Sequence, residues 1–233
     1  MDSEDSRVLG SPHPIFSAYS SLPKSIKAIP NALLDYTGIE KYLMLLFNSP
    51  LRTNGWFESY DGLPRGTNDE PLPWYSYSAI DFIEERIGTT TEVFEYGSGN
   101  STRWYANRVE EVVAVEHDPE WAQQVRGVTP SNATVLQRDS RSGYIESISE
   151  YDDADVVAID GEFRSDCAAY ALGALSERGV VVWDDTHNDE FSSGYQELRD
   201  AGFKELSFQG MGPVTATIQR TSIFYREKNC FSI

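Results

Sequence analysis

From Val93 onward, short apolar runs alternate with segments that suit helices. Five of these runs read as strands: VFEYG (93–97), VVAVEH (112–117), ATVLQRD (133–139), ADVVAIDG (154–161) and GVVVWDD (179–185). Strands that alternate with helices pair in parallel, so this order predicts an α/β fold in which helices cover both faces of a doubly wound sheet. Two further runs, FKELSFQG (203–210) and ATIQRTSIFYR (216–226), have no helix between them and predict an antiparallel hairpin, which makes seven strands.

The chain before this pattern has a different character. Residues 1–75 carry eight of the 11 prolines and one helix-like piece, NALLDYTGIEKYLMLLF (31–47). We therefore expect a helical and irregular N-terminal extension that forms a pocket lid over residues 1–77, followed by one compact domain over residues 78–233. Within that domain one helix is well marked, because Asp118 suits its N-cap, Pro119 its first position and Gly127 its end.

The charge balance excludes one class of partner. Acidic residues outnumber basic ones 37 to 19, which gives a net charge of −18, and wrapping around nucleic acid needs a basic surface. With 14 arginines and five lysines, the composition resembles that of proteins from salt-loving archaea; an ordinary acidic enzyme is the alternative. No apolar run approaches the roughly 20 residues of a membrane span, and two cysteines are too few for a disulfide framework. We expect a soluble, cytoplasmic protein.

A glycine turn follows the first strand in FEYGSGNST (94–102). Gly97 and Gly99 permit unusual dihedral angles and a close approach of ligand to backbone, and ligands of such sheets bind beyond the carboxyl ends of the strands. Glu116 ends the next strand and can accept hydrogen bonds from both hydroxyls of a ribose. Thr102 replaces the third glycine of the dinucleotide fingerprint, and a carboxylate at Glu95 suits a cationic ligand better than a pyrophosphate. The turn therefore favours a nucleoside ligand that carries a positive charge.

These residues resemble the class I S-adenosylmethionine-dependent methyltransferases. FEYGSGNST is similar to the first motif of that family, AVEHD (114–118) to the second, and RDS and IDGEFR lie where its third and fourth strands end. The resemblance covers about residues 93–226 and includes the terminal hairpin of the family's seven-stranded sheet. It implies S-adenosyl-L-methionine as cofactor, in a site formed by Glu95, Gly97, Ser98, Gly99, Glu116, His117, Asp139, Ser140 and Asp160.

The resemblance also assigns roles within this set. The glycine turn lines the methionine part of the cofactor, with Glu95 near its ammonium group, and Glu116 binds the ribose. Asp139 is placed to accept a hydrogen bond from the adenine amine, with Ser140 beside it; the alternative for Asp139 is a solvated acid at a strand end. His117 follows the ribose-binding acid directly and is expected to pack near the adenosine.

A second set of chemistry-bearing residues follows the fourth and fifth strands: Asp160, Arg164, Asp184, Asp185 and His187. Methyl transfer from a sulfonium is a displacement in which the protein aligns donor and acceptor and, where needed, removes a proton. The catalytic candidates are therefore Asp160, Arg164, Asp185 and His187. Three carboxylates at one edge repel unless one is protonated or a cation lies among them. The arrangement resembles metal-dependent O-methyltransferases, so a divalent metal at Asp160, Asp184 and Asp185 is an alternative, which we do not favour because Glu162 replaces the second acid of their motif.

Two of these candidates have a second interpretation. At least one of the paired acids Asp184 and Asp185 can instead cap the following helix or contact backbone. Arg164 can bind an anionic substrate as a bidentate partner, or it can form a salt bridge with Asp166 or Glu162.

Aromatic residues bear on the class of acceptor. Trp74, Tyr75 and Tyr77 lie in the segment that covers the pocket in this fold, where they either stack on sugar rings or only form a lid. Three other aromatic residues are expected to pack on helix faces, namely Trp104, Tyr105 and Trp121.

A narrower resemblance rests on PLPWYSYSAIDFIE (71–84), FEYGSGNSTRWYA (94–106) and TSIFYR (221–226). These segments resemble methyltransferases of surface-glycan assembly, and with the acidic composition they resemble the haloarchaeal methyltransferases that act on a hexuronic acid of the surface-glycoprotein N-glycan. This implies O-methylation of a saccharide or lipid-linked glycan, and peripheral contact with the cytoplasmic membrane face stays open. The alternatives are a small-molecule or lipid O-methyltransferase and a non-catalytic nucleoside-binding subunit of a glycan-assembly complex.

Overall fold

The computed structural model describes residues 37–59 and 62–233. In chain order the strands are β1 (Glu92–Tyr96), β2 (Glu111–Glu116), β3 (Ala133–Gln137), β4 (Ala154–Ile159), β5 (Leu175–Trp183), β6 (Lys204–Gly210) and β7 (Gln219–Tyr225). The α-helices are α1 (Ile39–Asn48), α2 (Pro50–Thr53), α3 (Tyr77–Glu84), α4 (Asn100–Ala106), α5 (Pro119–Arg126), α6 (Arg141–Glu146), α7 (Arg164–Ala174) and α8 (Ser192–Asp200). Short 3₁₀ helices cover Ser147–Glu150 and Asp189–Phe191.

The strands form one sheet in the order β3-β2-β1-β4-β5-β7-β6. Strands β1 to β5 run parallel to one another, whereas β7 runs antiparallel to both β5 and β6. The order reverses at β1, which has β2 on one side and β4 on the other, and ligands of open α/β sheets bind at such a switch point. The predicted seven-stranded sheet with an antiparallel terminal hairpin is confirmed.

The apolar runs located the strands well, except at the starts of β5 and β7. Strand β7 starts at Gln219 rather than at Ala216. Strand β5 starts at Leu175 rather than at Gly179. Its first residues include the polar stretch 176–178, which lacks the apolar pattern, and the register to β4 shifts between Ala154 and Val156. The early start of β5 was hidden because this part of the strand is less buried than its apolar half.

Helix α5 begins and ends as its sequence predicts. The Asp118 carboxylate accepts hydrogen bonds from the backbone N–H groups of Glu120 and Trp121 at 2.8 and 2.9 Å. Pro119 is the first helical residue, and Gly127 follows the last one. Asp118 therefore satisfies two of the N–H groups that a helix start leaves without partners.

Apolar side chains pack on both faces of the sheet. Neighbouring residues of a strand point to opposite faces, so Val156 joins one core layer and Val157 the other. One layer includes side chains of α6, α7 and α8, and the other includes side chains of α3 and α4. Trp104 and Tyr105 of α4 are fully buried in the second layer, as expected from the sequence.

The segment before α3 belongs to the same core. Tyr75 and Tyr77 are buried, and the backbone N–H of Ser76 donates to the Thr221 hydroxyl of β7 at 3.1 Å. The interpretation that Tyr75 and Tyr77 stack on a sugar ring is therefore wrong, because both rings are enclosed by the protein. Trp74 differs from them, since it is 42% exposed.

Predictions for residues 1–36, 60 and 61 lie outside the described residues, and so does the start of the helix predicted over residues 31–47. Helix α1 occupies the later part of that stretch. Within the described ranges, no helix combines the length and the apolar character needed to span a bilayer.

Candidate cofactor and acceptor site

The turn between β1 and α4 lies at the carboxyl edge of the sheet, against the end of β4. Gly97 has φ +102°, and a Cβ on it would lie 3.2 Å from backbone atoms of Asp160 and Gly161. At Gly161 a Cβ would lie 2.1 Å from the Tyr144 hydroxyl oxygen. Position 97 therefore requires glycine for its backbone conformation, and position 161 requires glycine because there is no room for a side chain. The requirement at position 161 was not foreseen from the sequence.

Glu95 is buried beneath this turn. Its Oε2 accepts a hydrogen bond from the Thr102 hydroxyl at 2.5 Å, and the Thr102 oxygen accepts one from the backbone N–H of Gly99 at 3.0 Å. Among the described residues, Oε1 has no hydrogen-bond partner although it is buried. Burial raises the pKa of Glu95 to about 8. Thr102 therefore ties the acid to the turn, and the unpartnered oxygen offers a position for a cation or an N–H donor.

Glu116 ends β2 beside the same turn and is also buried. Its Oε1 accepts hydrogen bonds from the backbone N–H groups of His117 and Asp118 at 2.9 and 3.0 Å. Its Oε2 accepts one from the Ser98 hydroxyl at 3.0 Å. A carboxylate oxygen has two lone pairs, so Oε2 keeps capacity for one more donor. The carboxylate is therefore fixed in orientation and still able to bind a hydroxyl.

The residues predicted to surround the adenine lie along the adjoining edge. Asp139 and Ser140 follow β3 and are exposed, and the Ser140 hydroxyl caps α6 by accepting from the backbone N–H of Gly143 at 3.2 Å. The His117 ring lies edge-on to Tyr144, with ring centroids 6.3 Å apart, and its Nδ1 is 3.0 Å from the Glu116 carboxylate. The residues predicted to bind the methionine and ribose parts of the cofactor and those predicted to surround its adenine therefore lie at the same edge of the sheet.

The three predicted carboxylates are also brought together. Asp160 and Asp184 come directly after the paired ends of β4 and β5, and Asp185 is the next residue. Asp184 is buried, and its Oδ1 accepts from the Thr221 hydroxyl at 2.5 Å. Burial raises the pKa of Asp184 well above its ordinary value, and the charges of Asp160 and Asp185 raise it further. Thr221 was not foreseen, because it lies on the last strand.

Arg164, the first residue of α7, lies among these acids. Its Nη2 is 3.1 Å from Asp160 Oδ1, and its Nη1 is 3.4 Å from Asp185 Oδ2. The guanidinium also donates to the backbone oxygens of Gly161 and Asp184 at 2.9 and 2.8 Å. With a side chain only 14% exposed, Arg164 is enclosed by these partners. It supplies the cation that neighbouring carboxylates need, and little of it faces outward to bind a substrate.

Two alternatives drawn from the sequence are corrected here. The carboxylate of Asp166 pairs with Arg141, so the alternative of a salt bridge from Arg164 to Asp166 is wrong. The helical turn after β5 is capped by Asn188, whose side-chain oxygen accepts from the backbone N–H of Glu190 at 3.0 Å. The paired acids after β5 are therefore not its caps.

Asp160 and His187 differ in their surroundings. Burial raises the pKa of Asp160 to about 6 against the opposing effect of the Arg164 guanidinium. His187 is exposed on a loop, with its Nδ1 3.9 Å from Asp185 Oδ1.

No group of three or more His, Cys, Asp or Glu side chains in the described part of the chain is arranged to hold a metal ion.

A cavity of about 490 Å³ adjoins both groups of residues. It extends from Asp160 and the glycine turn to a wall formed by residues 62–74 and helices α4 and α5. Trp121 lines this wall, is 39% exposed and donates from its indole N–H to the backbone oxygen of Ser98 at 2.8 Å. The expectation that Trp121 only packs on a helix face is therefore wrong. Arg103 of α4 lines the cavity too. The sequence analysis missed it, and the one feature of the sequence that could have indicated it is its position just after the glycine turn.

Comparison with protein-family models and with curated proteins finds no match. Solved structures are similar at the level of the fold. A precorrin-6y C5,15-methyltransferase from Geobacter metallireducens is 14% identical with a TM-score of 0.55, over 72% of this chain and 96% of that one. A precorrin-8w decarboxylase from Methanobacterium thermoautotrophicum is 16% identical with a TM-score of 0.52, over 71% of this chain and 97% of that one.

A third structure extends this likeness. A SAM-dependent O-methyltransferase from Thermotoga maritima is 16% identical with a TM-score of 0.50, over 64% of this chain and 63% of that one. At such identities the comparison shows the fold alone. The chain therefore has the class I methyltransferase fold.

Proposed function

We propose that this chain is an S-adenosyl-L-methionine-dependent methyltransferase that acts on an oxygen of a saccharide. The acceptor we propose is a hexuronic acid of a surface glycan in an N-glycosylation pathway, reached from the cytoplasm. The observation that carries the methyltransferase assignment is the glycine turn, which lies between two oriented carboxylates at the switch point of the sheet. The shared fold supports this assignment.

The residues around the turn fit the cofactor. The buried, unpartnered oxygen of Glu95 suits an ammonium group, and Glu116 keeps a lone pair for a ribose hydroxyl. Gly97 has φ +102° and packs against the backbone of Asp160 and Gly161, so it gives the turn its shape. His117 and Asp139 would flank the adenine. When bound, this cofactor supplies an electrophilic methyl group on a sulfonium.

The acid cluster is compatible with two kinds of acceptor. For a hydroxyl acceptor, Asp160 takes up the proton, because a pKa of about 6 leaves it ionised at neutral pH and still basic enough to accept. For a carboxylate acceptor, which is ionised already, no proton has to be removed and the residues serve to orient it. Arg164 offsets the charges of Asp160 and Asp185 in either case, so we do not assign a metal to this site.

The saccharide assignment rests on the motif resemblance, the acidic composition and the exposed Trp74 ring on the cavity. A second candidate, a small-molecule or lipid O-methyltransferase, is favoured by the apolar residues on the outer cavity wall, Leu63 and Val128 among them. Both candidates use the same cofactor residues and differ in the acceptor.

The cofactor assignment is tested by calorimetry with S-adenosylhomocysteine. Each hydrogen bond to a charged group contributes about 1.5–3 kcal/mol, so Glu116→Ala should weaken binding by at least tenfold. Glu120→Ala, an exposed acid at the start of α5, is the matched control and should bind normally. Equal affinities of wild type and Glu116→Ala would remove the ribose assignment.

The acceptor assignment is tested with labelled methyl donor and lipid-linked glycan. Labelled glycan, together with loss of one methyl group from one sugar in a strain lacking this chain, would support the proposal. Labelled lipid or small molecule would favour the second candidate, and binding of the donor without any transfer would favour a non-catalytic subunit.

A further inference from the structure

We propose that Trp74, Trp121 and Arg103 recognise the acceptor, and that the cavity they line takes a ring that has an apolar face and an anionic group. This inference rests on the proposed function, because it assigns the acceptor side of the same site. It replaces Arg164, the residue the sequence indicated for binding an anion, with Arg103.

The position of the cavity suits an acceptor. Its inner end reaches Asp160 and the glycine turn, where the transferred group would be presented, and its outer end is open between residues 62–74 and α5. A volume of about 490 Å³ lies within the range of small-molecule pockets, which hold ligands of one or two rings. A ligand seated there contacts the reacting centre and the outer wall at once.

The outer wall is unusually apolar for a protein surface. Leu63, Trp74, Trp121 and Val128 are large apolar residues with 39% to 59% of their surface exposed, and all four line this one cavity. Contiguous exposed apolar side chains mark binding sites, and indole rings bind the flat face of a ring ligand. The Trp121 ring is oriented by its hydrogen bond to Ser98, so one wall is fixed before a ligand arrives.

Arg103 provides a charge on this otherwise neutral wall. Its Nη1 donates to the side-chain oxygen of Asn100 at 3.0 Å, and within the described ranges its guanidinium forms no ion pair with a carboxylate. Because Arg103 lines the cavity and has no acidic partner in that part of the chain, its guanidinium is available to pair with an anion on the ligand. Arg164 cannot serve in this way, because Asp160 and Asp185 already hold it.

One other source of the same anion exists, namely the carboxylate of the methionine part of the cofactor. The experiment therefore measures two affinities for each variant, with folding checked by circular dichroism. The first is calorimetric binding of S-adenosylhomocysteine. The second is tryptophan-fluorescence titration of the protein saturated with S-adenosylhomocysteine, using methyl β-D-glucuronide and the uncharged methyl β-D-glucoside.

We expect the glucuronide to bind at least tenfold more tightly than the glucoside, which is the effect of one hydrogen-bonded ion pair. Arg103→Gln should abolish this preference and leave S-adenosylhomocysteine binding unchanged within twofold. Trp121→Leu should weaken both sugars to a similar extent. Arg199→Gln, on α8 and paired with Glu205, is the control and should change neither affinity.

Four results would count against the assignment. A tenfold loss of S-adenosylhomocysteine binding in Arg103→Gln would give Arg103 to the cofactor and overturn the proposal. Equal binding of the two sugars to wild type, or binding of neither, would overturn it as well. A wild-type protein that does not bind S-adenosylhomocysteine would instead overturn the proposed function, on which this inference depends.

Discussion

The buried carboxyl group of Glu95 should make cofactor binding depend on pH. Its pKa of about 8, raised by burial, means that the ligand-free protein carries this group mainly protonated at neutral pH. An ammonium ion is bound well only by the ionised form. Binding at neutral pH must therefore expel a proton from Glu95, and the free energy of that step is subtracted from the affinity.

The magnitude follows from the ionised fraction. That fraction is about one tenth at pH 7 and about one hundredth at pH 6. The α-ammonium group of the ligand, which is a free amino acid, stays charged over this range. Affinity for S-adenosylhomocysteine should therefore rise nearly tenfold from pH 6 to pH 7, about 1.4 kcal/mol. Above pH 8 the gain should end, because Glu95 is then already ionised in the ligand-free protein.

Calorimetric titrations at pH 6.0, 6.5 and 7.0, in two buffers of different ionisation enthalpy, measure both the affinity and the protons released. Wild type should release about 0.9 proton per ligand at pH 7. Glu95→Gln should lose both the slope and this proton release. Glu92→Gln, at the exposed start of β1, should keep both. A wild-type affinity that is flat over this range would refute the reasoning, because Glu95 would then not ionise on binding.

The same group affects stability without ligand. A carboxyl group with a raised pKa binds its proton more tightly in the folded protein than in the unfolded chain. The stabilisation from Glu95 is therefore complete below the unfolded pKa of about 4.3 and is lost as the pH rises through about 8.

Two further predictions concern packing around the site. Arg164→Gln removes the cation among buried acids and should lower the free energy of unfolding by about 3–5 kcal/mol in urea titrations. The control Arg199→Gln, in an exposed pair, should lower it by about 1 kcal/mol or less. Equal losses in the two variants would contradict the role of Arg164. Gly161→Ala should unfold the protein or abolish S-adenosylhomocysteine binding, because its Cβ would meet a hydroxyl at 2.1 Å. The control is Gly173→Ala within α7, where the new Cβ meets open space; this change should stabilise the folded protein by about 0.5–1 kcal/mol. A Gly161→Ala protein that folds and binds normally would contradict the prediction, because it would show that the turn can rearrange.

The fold could be predicted because its signals are local. Alternating apolar runs mark the strands, and the Asp118 cap marks the start of α5. The carboxyl ends of parallel strands meet at one edge, so Glu95, Glu116 and Asp160 were expected near each other from strand order alone. The link between Asp160 and Arg164 was also within reach, since the two are four residues apart across a turn into a helix.

Other parts of the site depend on contacts between distant segments, which no local pattern records. The segment 62–74, which forms part of the outer cavity wall, precedes the sheet, and its contact with β7 accompanies the exposure of Trp74 and the burial of Tyr75. Trp121 was expected to pack on a helix face, whereas the neighbouring turn gives its indole N–H a partner. Arg103 could be singled out only once its place on the cavity was known.

The position of β7 between β5 and β6 has a consequence for how the chain matures on the ribosome. The Thr221 hydroxyl that holds Asp184 comes from a residue 37 positions later in the chain. At synthesis rates of about 5–20 residues per second, β5 waits about 2–7 seconds for this partner. During that interval the apolar edge of β5, which ends in Trp183, is unpaired and open to association with other chains. The last strand to be made thus closes the sheet and completes the acid cluster in one step, and the nascent chain is most exposed to aggregation just before its site is assembled.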